Sequence, residues 1–352
     1  MQIDFHHGTT YVAARLAGFS GRDADVIAHS AQYVDDVTSQ GPVRFSNKFL
    51  YNRICSAHRM IDTRNTRDLD NHRVWIPFHF LPGNRDQKAG SGARTKSVED
   101  LVCRPNSLVA QEMVRQVIID QNRDYGLHRL GLTMHIYADT WAHQGFAGLL
   151  DDINEVEDVG ESGRSGVFGK GLKGYLNDFL DDAIPPLGHG RALDFPDIPF
   201  LKWGYINHRN EPVTRDNPTD FCEAADEMCK AMRRYRLGDP DASVSGIPNP
   251  DMEQIQSLFV ANKSKDGEQR HKKWIEAIQE GAFSFGPAKA GYITDRDGSW
   301  KHQALGTIAD LIRYEYKASF LKSNWKRFHD ALLAHRFFLL YELLPRYGIC
   351  AA

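Results

Sequence analysis

The segment that runs from Met134 to Phe146 constrains the fold most, because three metal-ligand side chains recur in it every four residues. They are His135, Asp139 and His143, separated largely by apolar residues. Four residues advance an α-helix by about 40° beyond a full turn, so the three side chains share an arc of roughly 80°. A buried helix with two imidazoles and a carboxylate on one face predicts a site for a divalent metal, with zinc as the first choice.

The competing interpretation of this pattern is a set of hydrogen-bonded core histidines. One His-x3-His pair alone would fit that interpretation equally well. The third residue, Asp139, favours a metal, because burying unpaired charge is costly. His128 lies seven residues before His135 and returns to nearly the same face. We interpret His128 as a polar residue near the start of the helix.

The composition gives no bulk signal for some partners and argues against some kinds of site. The 352 residues suffice for a large core, and a formal net charge of -3 gives no bulk basic field for nucleic acid or an anionic membrane. The five cysteines are scattered without a C-x-x-C pair, which argues against a cysteine zinc site. Their odd number argues against a disulfide framework and favours a reducing compartment.

Targeting segments are not expected. The start, Met-Gln-Ile-Asp-Phe-His-His, lacks the basic and apolar regions of a secretory signal, and no run of about 18 apolar residues occurs. We therefore predict a cytoplasmic protein without a transmembrane segment, although leaderless export is compatible with the sequence. The sequence specifies no oligomeric state.

The periodicity predicts a mostly α, single-domain, multi-helix bundle with long irregular loops over residues 1–352. A metal-site core of about residues 1–210 would carry the C-terminal helices of 220–346 packed on it. Residues 73–81 are β-prone, and residues 83–97, 150–170 and 187–218 are expected to be loops or extended chain. Helices are expected at about 20–36, 49–61, 107–121, 126–146, 172–183, 220–236, 252–262, 271–280, 304–320 and 324–344.

Further candidate ligands lie at the N-terminus and at a helix end. His6 and His7 are adjacent, so only one of them should share a given site, and we favour His7; a frayed terminus is the alternative. Asp35 and Asp36 end the second predicted helix, where the helix dipole disfavours carboxylates. A nearby cation would remove that penalty, which is a reason to expect a metal near this pair; solvated carboxylates are the alternative.

Two more histidines complete the candidate set. His79 lies in the apolar stretch Ile76–Pro82, where a hydrogen-bonded core histidine is the alternative. His189 lies between two glycines that allow close backbone approach, and an exposed turn is the alternative. A Gly-rich phosphate loop with a following Lys and a G-x-S-x-G nucleophile motif are both missing from the sequence.

These residues together resemble a known superfamily. The string His135-x3-Asp139-x3-His143, the early His7, Asp36 at a helix end and His79-Phe-x-Pro are similar to the zinc-dependent phospholipase C and S1/P1 nuclease superfamily, over about the first 200 residues. That superfamily is mostly helical, holds a trinuclear zinc cluster and hydrolyses phosphodiesters. Nearly the whole chain also resembles an uncharacterised bacterial family of unknown function, which implies no activity.

The superfamily resemblance implies a role for each matching residue. Asp139 would bridge two metals, and His79, His135 and Asp36 would complete the first site, with Asp36 also holding the attacking water. Asp36 and Asp139 are thus the implied catalytic residues. His7, or His6 in its place, would bind the neighbouring metal, and His143 with His189 would bind the third. The helix histidines lie eight residues apart here, against ten in the superfamily, so we expect one to three ions.

The expected function is therefore a metal-dependent phosphoesterase that acts on a small-molecule or lipid phosphoester, such as a phosphodiester or phospholipid, with zinc-activated water. Another divalent metal would also suit these ligands. Two alternatives stay open: a metal hydrolase with a non-phosphate substrate, and a non-enzymatic or toxin-associated module with a structural zinc. No specific nucleic-acid signal is present.

Overall fold

The structure is a computed structural model that describes residues 1–58, 64, 67–91, 95–161 and 187–351. It confirms a mostly α, single-domain fold. The predicted helix at 172–183 lies outside the described residues. The helices are α1 (Thr10–Leu16), α2 (Gly21–Asp36), α3 (Asp68–Phe78), α4 (Leu108–Ile119), α5 (Gly126–Ala142), α6 (Asn217–Leu237), α7 (Asn249–Ala261), α8 (Gly267–Glu280), α9 (Trp300–Leu305), α10 (Asn324–Phe337) and α11 (Leu344–Arg346), with π-helices at Asp4–Thr9 and Phe338–Leu343.

The strands of the described residues form two small antiparallel sheets. They are β1 (Gly41–Arg44), β2 (Leu50–Arg53), β3 (Val156–Glu161), β4 (Lys202–Asn207) and β5 (Pro212–Asp216). β1 and β2 form a hairpin in which Gly41 opposes Arg53. β4 pairs with β3 on one side and β5 on the other. None of the described helices is long and apolar enough to cross a membrane.

Helix α5 lies at the centre of the molecule. It packs against α2, α4, α6 and α10, and nearly all of its residues are buried. A helix that is enclosed all round belongs to the core of a large domain. The ligand motif on α5 is therefore held rigidly and away from bulk solvent.

Gly131 lets α2 approach α5 closely. A Cβ atom at this position would lie 2.2 Å from the carbonyl oxygen of Ile27 and 2.7 Å from the Cβ atom of Ser30. The C-terminal turn of α2 and the second half of α5 thereby converge. This convergence brings Asp35 of α2 near His135 of α5.

The N-terminal π-helix is buried along its whole length and runs into α1. Arg270 of α8 clamps it: Nε of Arg270 lies 2.6 Å from Oδ2 of Asp4, and both side chains are buried. Arg270 also donates to the side chain of Gln2. A segment that would fray in isolation is thus tied to the C-terminal half of the chain.

Helix α2 forms where the sequence predicts it. The side chain of Ser20 accepts a hydrogen bond from the backbone N–H of Asp23, as expected of an N-cap. The predicted helices at 107–121, 220–236, 252–262, 271–280 and 324–344 are also present with small shifts of their ends. All of them except α7 begin next to a residue whose side chain caps the helix, namely Ser107, Asp216, Asp266 and Ser323.

Other predicted elements were wrong. Residues 49–61 include strand β2 in place of a helix, because Leu50 to Arg53 pair with β1. Residues 304–320 are helical only at their two ends, because Gly306 ends α9 with a φ of +79° and Tyr314 then pairs alongside Phe45. The predicted loop at 150–170 contains β3, which pairing with β4 stabilises.

The β-prone segment at 73–81 is mostly helix α3. Pro77 lies in its last turn, so the one backbone N–H···O bond that proline cannot form is lost close to where the helix ends, and Asp68 and Asp70 lie in the first turn, where the helix dipole favours them. Burial of Ile76 and Phe78 outweighs their preference for strands. The helix ends at His79, which leaves that side chain free to turn toward α5.

Candidate metal centre

The first ligand group lies where the end of α3 meets α5. Nε2 of His135 is 3.2 Å from Oδ2 of Asp139 and 3.2 Å from Nδ1 of His79. Nδ1 of His79 lies 3.6 Å from the same carboxylate oxygen. The three side chains are buried. Ligand atoms at such separations can converge on one cation, which would lie about 2 Å from each.

The second ligand group joins the end of α5 to the loop that follows residue 187. Nε2 of His143 lies 3.4 Å from Oδ1 of Asp197, and Nε2 of His189 lies 3.4 Å from Oδ2 of the same residue. Nδ1 of His143 also lies 3.7 Å from Oδ2 of Asp139. Asp139 therefore connects the two groups.

A third group overlaps the first and consists of His6, Asp35 and His135. Oδ1 of Asp35 is 3.8 Å from Nε2 of His135. Nε2 of His6 is 3.2 Å from Oδ1 of Asp139, and the rings of His6 and His135 stack with centroids 3.8 Å apart. The π-helix thus delivers one of its two histidines to the centre.

Backbone carbonyls fix which ring nitrogen of each histidine faces the centre. The carbonyls of Ser56, His79 and Leu193 lie 2.8–2.9 Å from Nε2 of His79, Nδ1 of His143 and Nδ1 of His189 respectively. A carbonyl oxygen only accepts, so these nitrogens carry the proton. The opposite nitrogens keep their lone pairs toward the carboxylates. Such orientation by a backbone carbonyl is usual for metal-binding histidines.

The pKa values of the centre favour neutral His6 and His135 and ionised Asp139 and Asp197. Burial lowers the pKa of His135 well below its usual value and lowers the pKa of His6 to about 4. Burial would raise the pKa of Asp139 and of Asp197, but the neighbouring histidines and the α-amino group of Met1 outweigh it and hold both pKa values well below normal. Neutral histidine and ionised aspartate are the forms that bind a metal.

The α-amino group of Met1 is a further charged group at the centre. It lies 2.9 Å from Oδ1 of Asp139 and 3.0 Å from Oδ1 of Asp197. Burial would lower its pKa, but the two carboxylates outweigh burial and raise it to about 11. In this arrangement it offsets part of the negative charge between the two ligand groups.

Several buried polar atoms of the centre make no well-directed hydrogen bond in the described structure, although some of them lie 3.0–3.2 Å from another polar or charged atom. They include Oδ2 of Asp139, Oδ1 of Asp197 and both ring nitrogens of His6. Leaving a buried polar atom unsatisfied costs about 1–3 kcal/mol, and more for a charged group. Such atoms call for a cause. A cation between them would satisfy several at once.

The structure brings together most of the residues that the sequence analysis selected. His6, His79, His135, Asp139, His143 and His189 all belong to the three ligand groups. His7 and Asp36 lie outside these groups. Nδ1 of His7 lies 2.9 Å from Nε2 of His271, and Oδ2 of Asp36 accepts a hydrogen bond from Tyr292 at 2.5 Å.

Asp35 and Asp197 join the groups although neither was selected as a ligand. Successive helical residues point about 100° apart, so only one of Asp35 and Asp36 can face α5. The side of α2 that packs on α5 distinguishes them, and it depends on tertiary contacts such as that at Gly131. Asp197 follows His189 by eight residues in an irregular loop, where no periodicity indicates a shared site.

The centre opens into a cavity of about 350 Å³. Asp35, Asp139 and Asp197 line its inner end together with His79, His143 and His189. Met1, His58, Gly190 and several apolar side chains line the rest, and no Lys or Arg is among the described residues around it. The apolar residues are Ala57, Trp75, Phe80 and Leu187.

Comparison with known proteins gives one match. A sequence model described as a family of unknown function (DUF6765) matches residues 1–343. Neither the curated proteins nor the solved structures include a match to this chain.

Proposed function

The chain belongs to the family of unknown function DUF6765, and we propose that it is a metal-dependent hydrolase that cleaves phosphoesters with metal-activated water. The observation that carries this proposal is the opening of linked His/Asp ligand groups into one cavity. A structural zinc is normally closed off by four protein ligands, whereas a catalytic metal keeps a position for water and substrate. The open centre therefore favours catalysis over a purely structural role.

The ligand chemistry suits zinc, and one or two ions account for the linked groups. His79, His135 and Asp139 would hold one ion, and His143, His189 and Asp197 another. A bound zinc ion lowers the pKa of its water toward about 7 and polarises the ester oxygen. Asp139, whose Oδ2 contacts both groups, would keep the two ions at a fixed separation.

We assign Asp35 to position the attacking water. It lines the cavity beside His79 and His135. Burial first, and Asp139 second, raise the pKa of Asp35 well above its usual value. A carboxylate with a raised pKa is a suitable general base near neutral pH. Asp35 would thus take the role that the resemblance gave to its neighbour Asp36.

A second candidate function is hydrolysis of a non-phosphate substrate, such as a carboxylic ester or an amide. The absence of Lys and Arg among the described residues of the cavity favours it, because a phosphate would depend on the metal ions and the α-amino group of Met1 for charge compensation. Trp75 and Phe80 would suit an apolar substituent in either case.

The test begins with the metal content of the purified protein and of two matched variants. His135→Asn removes a ligand, whereas His128→Asn removes an equally buried histidine of the same helix that instead contacts Asn324. We expect His135→Asn to lose metal and His128→Asn to retain it. Protein without bound metal, or unchanged metal content in His135→Asn, would refute the proposed centre.

The reaction class is then tested with chromogenic substrates that share one leaving group. A nitrophenyl phosphodiester, phosphomonoester, carboxylic ester and anilide are compared for the wild type, Asp35→Asn and His128→Asn. Turnover of a phosphoester that falls by about 10²-fold or more in Asp35→Asn supports the assignment. Turnover of the carboxylic ester or anilide alone would favour the second candidate, and no turnover of any substrate with metal bound would favour a structural role.

A further inference from the structure

A cluster of exposed apolar side chains lies far along the chain from the ligand motif. Its members, which we call the apolar platform, come from the β1–β2 hairpin and from residues 311–321. Ile312 is 90% exposed, Leu50 63%, Phe49 57%, Leu321 56% and Leu311 50%. Single exposed apolar residues are ordinary, but several on adjoining segments mark a surface that binds something.

Backbone pairing holds the two segments together. The N–H of Tyr314 donates to the carbonyl of Arg44 at 2.8 Å, and the N–H of Ser46 donates to the carbonyl of Tyr314 at 2.9 Å. The ring of Phe49 lies 5.1 Å from that of Tyr316, centroid to centroid. The exposed side chains therefore belong to one structural unit.

Packing beneath the platform anchors this unit to the core. Phe320 contacts the ring of Phe45 at 4.9 Å and that of Tyr51 at 5.4 Å, and all three residues are shielded at least in part from solvent. Residues next to these anchors, such as Leu321, are held outward. The side chains of the platform are therefore exposed on a well-packed surface and not on a poorly packed segment.

The charge around the platform is strongly positive. Residues 41–53 and 306–323 contain six Lys or Arg and two carboxylates, a formal charge of +4 in a chain of net charge -3. Asp310 is neutralised by Arg53 and Lys301, at 2.8 and 2.9 Å. The remaining cations of these segments are exposed, and they are Arg44, Lys48, Arg313, Lys317 and Lys322.

We propose that the apolar platform binds the surface of an anionic lipid bilayer. Aliphatic and aromatic side chains would enter the boundary between headgroups and acyl chains, while the surrounding long basic side chains meet lipid phosphates and carboxylates. A bilayer is favoured over a protein partner because basic side chains flank the apolar residues in both segments. This distribution of positive charge complements a uniformly anionic surface. This surface is distinct from the metal centre, and the proposal does not depend on metal binding or catalysis.

Co-sedimentation of the full-length protein with vesicles tests the proposal. We expect binding to vesicles of phosphatidylcholine with phosphatidylserine, and much weaker binding to phosphatidylcholine alone. Added salt should weaken the binding to the anionic vesicles, because it screens the exposed charges. Equal binding to neutral and anionic vesicles, or no binding to either, would overturn the proposal.

Matched variants identify the surface. Leu50→Ser with Ile312→Ser should weaken binding about tenfold or more, since two apolar side chains no longer enter the interface. The control Leu237→Ser alters a leucine of 64% exposure on α6 and should bind as the wild type does. Equal loss in the control, or no loss in the double variant, would contradict the assignment of the surface.

The cations are tested separately, with a control pair that changes the net charge by the same amount. Lys48→Gln with Lys317→Gln should weaken binding by about fivefold for each cation removed. The control pair, Lys263→Gln with Lys265→Gln, removes two exposed lysines before α8. Circular dichroism of every variant confirms folding.

A platform that instead mediates self-association would give a concentration-dependent dimer that Ile312→Ser abolishes. Such a dimer without any vesicle binding would also overturn the proposal.

Discussion

Nδ1 of His143 lies 2.8 Å from the backbone carbonyl oxygen of His79, so a residue of the second ligand group is oriented by the backbone of a residue of the first. The carbonyl only accepts, which leaves Nε2 of His143 as the nitrogen that faces Asp197. The two ligand groups therefore share part of their supporting backbone and differ in their other ligand residues.

This arrangement predicts that the two groups can be emptied separately. His189→Ala should lower the metal content by one ion per chain, because it removes a ligand only of the second group. His135→Ala should remove the ion of the first group. Metal content is measured by mass spectrometry after extensive dialysis. If either variant loses all bound metal, the groups form one cooperative site and the prediction is wrong.

Removal of metal should lower thermal stability. At a free metal concentration of about 1,000 times Kd, binding stabilises the folded state by about 4 kcal/mol. For a chain of this length that corresponds to a fall in Tm of about 5 °C on chelation. Calorimetry with and without a chelator measures it, and His135→Asn supplies the control because its Tm should respond less, since only the ion of the second group remains to be removed. An unchanged Tm of the wild type would argue against a metal in the folded protein.

Loss of the Arg270–Asp4 ion pair should affect both stability and the metal centre. Both side chains are buried, so Arg270→Met leaves an unpaired buried carboxylate and should lower the free energy of unfolding by about 3–5 kcal/mol. The released π-helix should also misplace His6 and lower metal affinity.

Urea unfolding and metal titration measure these two effects. Arg115→Met, which breaks an exposed ion pair with Asp241, is the control and should leave both measurements near those of the wild type. Adding Asp4→Leu to Arg270→Met should restore part of the lost stability, because it removes the buried charge. No recovery in this double variant would contradict the explanation.

Gly131→Ala should separate α2 from α5. The added methyl group would lie 2.2 Å from a backbone oxygen of α2, a contact that only movement of a helix can relieve. We expect a loss of stability of about 1–3 kcal/mol and weaker metal binding, because Asp35 and His135 lie on the two helices. Gly291→Ala, whose methyl group would meet open space, is the control. Equal metal affinity in both variants would show that this contact does not set the ligand geometry.

Acid should destabilise the protein through its buried histidines outside the three ligand groups. Burial lowers the pKa of His29, His329 and His335 to about 3, against 6.5 for the unperturbed group. Between these values the unfolded chain binds protons that the folded protein does not, so stability is complete above pH 6.5 and falls as the pH decreases toward 3. Each group contributes about 1.4 kcal/mol per pH unit within that window.

Urea unfolding with a chelator at several pH values between 7 and 5 measures this slope. His329→Gln should flatten the dependence, since one of the three groups no longer titrates. His208→Gln alters an exposed histidine and should leave the slope unchanged. An identical slope for the wild type and His329→Gln would contradict the prediction.

Local patterns were sufficient where they agreed with each other. The cap at Ser20 and the apolar face of the following helix identified α2, and the four-residue spacing of His135, Asp139 and His143 identified the face of α5 that offers ligands, although the helix ends at Ala142, one residue before His143. They failed where long-range pairing prevailed over propensity, as at Tyr314, which lies alongside Phe45 in a region predicted to be helical. A pattern of apolar residues cannot reveal a partner almost 270 residues away in the chain.

The sequence by itself determined the helical class of the fold and the face of α5 that offers ligands, because helical periodicity is a local property of the chain. Only the tertiary structure decided which residues complete the centre. It selected Asp35 over Asp36 and His6 over His7 within adjacent pairs, and it brought Asp197 to His143. Neighbouring residues have nearly the same local sequence context but point in different directions, so the packing of α2 and of the N-terminal π-helix against α5 makes the choice.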